Sequence, residues 1–102
     1  MQGDVTLNPD DAGGQIPYLL DVQADLLSDL ATRVVVPLVR AASFGRRASR
    51  LHPAFTIAGQ DVVMATHLIA AVRQNSVGAR IASLRDQRDV IIAAIDVLWS
   101  GV

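Results

Sequence analysis

Cysteine, lysine and glutamate are absent from this chain of 102 residues, and aromatic residues make up only 4% of it. Without cysteine the chain has neither a disulfide framework nor a thiolate zinc site. No apolar run is long enough for a membrane span, and the N-terminus lacks the basic and apolar regions of a signal peptide. The 51% apolar content and the net charge of −1 predict one globular domain over residues 1–102, located in the cytoplasm.

The charged residues are unevenly distributed along the chain. Residues 1–32 contain six aspartates and no base, whereas residues 33–85 contain eight arginines and one aspartate. Four of the arginines form a predicted basic patch, namely Arg40, Arg46, Arg47 and Arg50. By charge alone, such a patch is either merely solvated, or it binds an acidic protein segment or nucleic acid.

The alternation of apolar and polar residues predicts several short antiparallel strands. The predicted strands cover residues 4–7, 16–22, 33–40, 54–58, 61–66 and 69–73. The first two strands are predicted to form a hairpin, and Gly59-Gln60 is predicted to be a two-residue turn. Pro37 lies inside the third strand, which predicts a sheet edge or a bulge there.

Residues 83–102 predict one amphipathic helix, with Ser83 as its N-cap and Gly101 as the residue that ends it. Its apolar positions cover more than half of the circumference, which is more than one packing contact needs. We therefore expect the helix to pack against the sheet and against a second subunit. The predicted fold class is α+β, a small, curled, barrel-like antiparallel sheet with a C-terminal helix.

Residues suited to catalysis or metal binding are few and scattered. His52 and His67 are the only imidazoles and belong to different segments without a nearby carboxylate pattern, so we expect no metal site and no cofactor. A centre for RNA cleavage could combine Arg46, Arg47, His52 and Asp61. Nothing in their spacing singles these residues out, and the sequence therefore favours a binding protein over an enzyme.

Trp99 is the only tryptophan and lies at the end of the predicted helix. Two interpretations are open for it. The indole either closes the hydrophobic core at the helix end, or it anchors a partner protein, because tryptophan is enriched among the residues that dominate interface energies.

Two neighbouring motifs resemble the CcdB family of plasmid-maintenance toxins. The first is Asp21-Val22-Gln23-Ala24-Asp25, followed directly by Leu26-Leu27, and the second is Arg33-Val34-Val35-Val36-Pro37-Leu38. The spacing between the two matches the family. Gly59 in the hairpin, Val63-Met64-Ala65-Thr66 and the tail Trp99-Ser100-Gly101-Val102 match in the same order, so that the resemblance covers nearly the whole chain.

The resemblance implies an SH3-like barrel with a C-terminal helix, a homodimer and no catalytic residues. It implies a toxin that binds the DNA gyrase A subunit, traps gyrase on cleaved DNA and is neutralised by a CcdA-like antitoxin. The expected gyrase-binding residues are Leu26, Leu27, Asp96, Trp99, Ser100, Gly101 and Val102, of which Asp96 flanks the others on the helix. The basic patch of Arg40, Arg46, Arg47 and Arg50 is then the expected antitoxin site, with no direct binding of nucleic acid and no membrane contact.

Two alternatives to gyrase poisoning remain open. The family shares its fold with the MazF/Kid endoribonuclease toxins, so RNA cleavage is the first alternative. Gyrase poisons of the family end in aromatic-Trp-Gly-Ile, whereas here Trp99 takes the place of the first aromatic residue and Ser100 that of the tryptophan. The second alternative is therefore a CcdB homologue that has lost gyrase poisoning.

Overall fold

The fold combines a curled antiparallel sheet with one helix that packs across it, in the predicted α+β class. The computed structural model describes residues 1–11 and 14–101. The strands within these residues are β1 (Asp4–Leu7), β2 (Tyr18–Asp21), β3 (Thr32–Arg40), β4 (Ala54–Ile57), β5 (Gln60–Met64), β6 (Ala70–Arg73) and β7 (Arg80–Ser83), and the helix is α1 (Arg88–Ser100). Single turns of 3-10 helix lie at Pro9–Asp11, Asp25–Leu27, Ala41–Ser43, Thr66–Leu68, Gln74–Ser76 and Arg85–Gln87.

β3 is the central strand of the sheet. Its run of branched apolar residues favours an extended backbone, and it extends over nine residues. It pairs with β2 along one side and with β5 and then β6 along the other, in the sheet order β4-β5-β3-β2-β1-β7. The predicted hairpin of β1 and β2 is confirmed, with Val5 opposite Leu20.

Pro37 lies in this central strand, so the prediction of a sheet edge is wrong. Its carbonyl accepts a hydrogen bond from the N–H of Ala65, just beyond the end of β5. Pairing with β5 ends at Leu38, and pairing with β6 begins at Val35. Proline has no N–H to donate. It is tolerated at this position because the partner of β3 changes here from β5 to β6.

The helix begins later than the sequence predicts, because β7 precedes it. Ser83 is the last residue of β7 and pairs with Asp4 of β1. The Ser83 hydroxyl accepts a hydrogen bond from the N–H of Arg85 at 3.3 Å, so it supports the turn after β7 and does not cap α1. The prediction that Ser83 is the N-cap is wrong, since long-range pairing with β1 keeps this segment extended.

The hairpin between β4 and β5 turns one residue earlier than predicted. Ile57 pairs with Gln60, which leaves Ala58 and Gly59 as the two turn residues. Their φ angles are 51° and 79°, and two positive φ values are typical of a type I′ turn. Gly59 therefore occupies a position that favours glycine.

The hydrophobic core lies between the sheet and α1. The helix contributes Ile91 and Ala94, and the turn before it contributes Leu84. The core residues from the strands are Val5, Tyr18, Leu20, Val36, Leu38, Ile57, Val62 and Met64. Leu98, in the last turn of α1, is exposed although it belongs to the apolar positions of the predicted helix, so the packed stripe ends before that turn. In the described part of the chain no helix is long and apolar enough to cross a membrane.

Candidate functional site

The loop between β2 and β3 carries two of the predicted gyrase-binding residues at its tip. Leu26 is 91% exposed and Leu27 is 46% exposed. Both lie in the 3-10 turn, which the N–H of Leu27 closes by donating to the carbonyl of Ala24 at 2.9 Å. The turn is therefore an ordered support for two leucine side chains that the chain itself does not cover.

Gln23 fixes this loop to the sheet. Its amide Nε2 donates to the carbonyl of Leu27 at 2.8 Å, and its Oε1 accepts from the N–H of Val34 at 2.9 Å. The Gln23 side chain is buried, so these bonds are largely protected from competition with water. In the sequence, Gln23 is recognisable only as part of a motif, and nothing there indicates its positioning role.

A buried ion pair lies beneath the same loop. Arg33 donates from Nε and Nη2 to Oδ2 of Asp21, at 3.0 and 2.6 Å. The other carboxylate oxygen of Asp21 accepts from the N–H of Gln23 at 3.0 Å, and the α-ammonium of Met1 lies 3.4 Å from Oδ2. The first motif and Arg33 of the second thus act together, because they hold the strand end from which the loop with Leu26 begins.

Trp99, an expected gyrase-binding residue, lies at the C-terminal end of α1 and faces the solvent. Trp99 is 89% exposed, which excludes its interpretation as a cap on the core of its own chain. Gly101 ends the helix as predicted, with a φ of +79° and its N–H donating to the carbonyl of Val97 at 2.9 Å. The Ser100 hydroxyl donates to the carbonyl of Asp96 at 2.8 Å, and both of these residues are exposed. Val102 lies outside the described residues.

The loop and the helix border one cleft of about 200 Å³. Val22 and Asp25 line it from the loop, and Ile91, Ile92 and Ile95 line it from α1. Trp99 lies four residues after Ile95, which places it one helical turn further along the same side. The structure therefore brings the base of the loop between β2 and β3, which we name the leucine loop (residues 22–31), beside the helix that carries Trp99.

Gln2 links the two walls of this cleft. Its N–H donates to Oδ1 of Asp25 at 2.7 Å, and its Oε1 accepts from Nε of Arg88 at 3.4 Å. These contacts connect the loop to the first residue of α1.

The four arginines of the basic patch differ in their surroundings. Arg46, Arg47 and Arg50 are exposed in the segment between β3 and β4. Arg40 ends β3 and is half-buried, and its Nε donates to the carbonyl of Gly14 at 2.6 Å. Arg47 donates from Nη1 to the carbonyl of His52 at 3.1 Å. Three exposed arginines thus lie in one loop, which we name the basic loop (residues 44–53).

His52 and His67 meet beneath the basic loop, a contact that the sequence does not predict. Nε2 of His52 lies 3.0 Å from Nδ1 of His67, and Nδ1 of His52 accepts from the N–H of Ala48 at 3.0 Å. The ring of Phe44 packs edge-on against His52, with 4.9 Å between the ring centroids. Burial lowers the pKa of His52, and the nearby charges of His67 and Arg47 lower it further. His52 is therefore held neutral at neutral pH.

Of the residues considered for RNA cleavage, the structure brings together Arg46, Arg47 and His52 but not Asp61. Asp61 accepts a hydrogen bond from the Thr56 hydroxyl at 3.0 Å and lines a cleft with Phe55 and Gln87, whereas His52 lines a different cleft with Arg46. Over residues 1–11 and 14–101, no group of three or more histidine, cysteine, aspartate or glutamate side chains could hold a metal ion.

Comparisons with known proteins agree with this fold. The structure is similar to that of the Mycobacterium tuberculosis toxin MazF-mt6, with a TM-score of 0.73 over 94% of this chain and 95% of that chain. The sequence identity is only 13%, so this likeness establishes the shared fold alone. The family model described as CcdB protein matches residues 2–101, which is nearly the whole chain. This chain therefore belongs to the CcdB family of toxin–antitoxin toxins.

Proposed function

We propose that this protein is a gyrase poison: it binds the DNA gyrase A subunit, traps the complex of gyrase with cleaved DNA and performs no catalysis itself. In this proposal it acts in the cytoplasm as a homodimer and is neutralised by a CcdA-like antitoxin. The observation that carries the proposal is the exposure of Trp99, at 89%, at the end of a rigid helix.

An exposed tryptophan on an ordered support is characteristic of a partner anchor. Burying an indole in a partner pocket removes a large apolar area from water, and the helix limits the entropy that is lost on binding. Leu26 is exposed to a similar extent, at 91%, and the Gln23 bonds hold its loop in place. We assign gyrase binding to these two side chains together with Leu27, Asp96, Ser100, Gly101 and Val102.

The basic loop supports the antitoxin part of the proposal. Arg46, Arg47 and Arg50 place three exposed positive charges within five residues. An acidic, disordered segment gains electrostatic attraction from such a loop and pays its ordering entropy only when it binds. With Arg40, these arginines form the proposed antitoxin site.

An endoribonuclease is the alternative that the likeness to a MazF toxin favours. The side-chain arrangement weighs against it, since both ring nitrogens of His52 are engaged and Asp61 lies in another cleft. Incubation with messenger RNA tests this alternative directly. Cleavage at defined sites by the purified protein, lost in the Arg46→Gln variant, would establish the ribonuclease.

The gyrase proposal is tested by a DNA cleavage assay with purified gyrase, ATP and supercoiled plasmid. The wild-type protein is expected to accumulate linear DNA after denaturation of the complex. Trp99→Ala and Leu26→Ala are expected to weaken the effect by roughly 30-fold, the equivalent of about 2 kcal/mol for an interface anchor. Ile81→Ala, which alters an exposed apolar residue on β7, is the matched control and should act like wild type.

Thermal melting of the same variants separates anchoring from folding. Because Trp99 makes little contact with its own chain, Trp99→Ala should melt within about 2 °C of wild type. Absence of linear DNA with the wild-type protein would instead support the homologue that has lost gyrase poisoning, with Ser100 at the position of the family's tryptophan.

A further inference from the structure

A second cleft, of about 440 Å³, lies between the basic loop and the turn at Thr66–Leu68. Its polar lining includes Ser43, Arg46, His52 and His67, and its apolar lining includes Phe44 and Leu68. No carboxylate lines this cleft in the described part of the chain. The cleft therefore combines apolar walls with hydrogen-bond donors and a positive charge.

The hydrogen bonds of the two histidines determine which ring nitrogens carry protons. The N–H of Ala48 can only donate, so Nδ1 of His52 is an acceptor and carries no hydrogen. Neutral His52 then has its hydrogen on Nε2 and donates it to Nδ1 of His67. His67 in turn has its hydrogen on Nε2, and among the described residues no hydrogen bond engages that atom.

His67 is therefore oriented as a donor. Its ring is exposed, whereas the His52 ring that orients it is buried and held on both sides. The guanidinium of Arg46 makes no hydrogen bond or ion pair among the described residues and lines the same cleft. An anionic group that enters the cleft can accept a hydrogen bond from Nε2 of His67 and pair with the guanidinium of Arg46. No carboxylate of the cleft competes for these two groups.

We propose that this cleft is the socket for a carboxylate side chain of the antitoxin, an aspartate or glutamate flanked by an apolar residue. The inference rests on the proposed function, in which an acidic segment binds the basic loop, and it adds the place and the chemistry of one contact. The carboxylate accepts from Nε2 of His67 and from Arg46, and the apolar neighbour packs against Phe44 and Leu68. His52 is a positioning residue that fixes the His67 ring.

The charge of the whole chain favours a peptide over a nucleic acid as the occupant. The net charge is −1 and the isoelectric point is about 6.0, whereas domains that bind RNA through phosphate contacts are usually strongly basic. The apolar walls contributed by Phe44 and Leu68 also fit an aliphatic side chain better than a phosphodiester backbone.

The test uses the full chain and a fluorescein-labelled octapeptide of alternating glutamate and leucine, followed by fluorescence anisotropy. Labelled peptide with glutamine in place of glutamate and a labelled RNA octamer are the comparison probes. His67→Phe removes the ring donors and Arg46→Gln removes the charge without touching the histidine pair. Arg73→Gln, on the exposed face of β6, is the control.

We expect the glutamate peptide to bind, and His67→Phe and Arg46→Gln to weaken binding by about fivefold or more. Arg73→Gln should stay within about twofold, and the glutamine peptide and the RNA should bind more weakly than the glutamate peptide. Imidazole ¹⁵N spectra of the wild type should show both histidines with the hydrogen on Nε2, and the His67 signal should move on addition of peptide. Unchanged affinity in both variants, tighter binding of the RNA or failure of the glutamate peptide to bind would each overturn the proposal.

The gyrase cleavage assay on the same variants keeps the two proposals apart. His67→Phe and Arg46→Gln should still trap gyrase, since neither residue lies at the leucine loop or the helix end. If the wild type binds the peptide but does not trap gyrase, the carboxylate site is supported and the gyrase proposal is overturned. If it traps gyrase but does not bind the peptide, only the carboxylate site is overturned.

Discussion

At the scale of single residues, the buried ion pair of Asp21 and Arg33 holds the end of β2 from which the leucine loop begins. Both side chains are buried, and the carboxylate also accepts the N–H of Gln23. A buried charge that loses its partner keeps its desolvation cost, which makes removal of one partner more damaging than replacement of both.

We expect Arg33→Leu to lower the free energy of unfolding by about 3–5 kcal/mol, because it leaves the Asp21 carboxylate buried without its main partner. Urea unfolding at pH 7 measures this change. Arg73→Leu, at an exposed position on the neighbouring strand β6, should shift it by less than about 0.5 kcal/mol. Equal effects of the two substitutions would contradict a specific role for the buried pair.

His52 makes the stability of the fold dependent on pH. Burial, with smaller effects from His67 and Arg47, lowers its pKa in the folded chain below the usual value of 6.5. Between those two pKa values the unfolded chain binds more protons than the folded one, so the free energy of unfolding falls as the pH decreases below 6.5.

Urea unfolding at a series of pH values from about 8 to 5.5 measures this dependence. The wild type should lose stability towards the acid end more steeply than His52→Gln, which cannot titrate there. The variant is expected to be less stable at pH 8, so the comparison concerns the slope with pH and not the absolute value. Parallel slopes would contradict a buried neutral His52.

At the scale of elements, the end of α1 decides how Trp99 is presented. The helix continues through Ser100 and ends at Gly101, so the indole projects from a regular last turn. A side chain at Gly101 would meet no atom within 4 Å, and the cost of adding one is therefore purely conformational. Gly59, in the hairpin of β4 and β5, has the same φ of +79° and is equally open.

We expect Gly101→Ala and Gly59→Ala each to lower the free energy of unfolding by about 1 kcal/mol, since alanine disfavours a positive φ. Only Gly101→Ala should also reduce gyrase trapping, because it changes the backbone that follows Trp99. Thermal melts and the cleavage assay measure the two effects. Similar trapping by both variants would show that the helix end is not part of the gyrase contact.

At the scale of the whole molecule, the apolar surface that the fold leaves open supports the proposed homodimer. Val90 is 43% exposed and Leu98 is 41% exposed, although both belong to α1, which also contributes to the core. We expect these two side chains to become buried in the proposed dimer interface, which would remove their apolar area from water.

Light scattering coupled to gel filtration is expected to give twice the chain mass of 10.9 kDa. Val90→Asp should shift the protein towards the monomer, because it places a charge in the proposed interface. Leu7→Asp, at an exposed position on β1, is the control and should leave the mass unchanged. A wild-type monomer at micromolar concentration would contradict the dimer.

Local patterns in the sequence determined most of the elements and the family. Branched apolar runs predicted β1 to β6, and glycine after the last apolar turn predicted the end of α1, because these signals act over a few residues. Leu26 and Leu27 were identified through motif resemblance, and Trp99 was identified as the only tryptophan, at the end of the predicted helix. Asp21 and Gln23 were also in that motif, but their roles depend on partners in β3.

The features that join distant segments depend on the three-dimensional packing of the chain. Ser83 ends a strand because β1 pairs with it, and Pro37 is central because the neighbouring strand changes there. His52 and His67 meet because the basic loop folds over the turn after β5. Each of these features depends on contacts between residues far apart in the chain. The free energy of these contacts outweighs local propensity, and such contacts leave no periodic signal in the sequence.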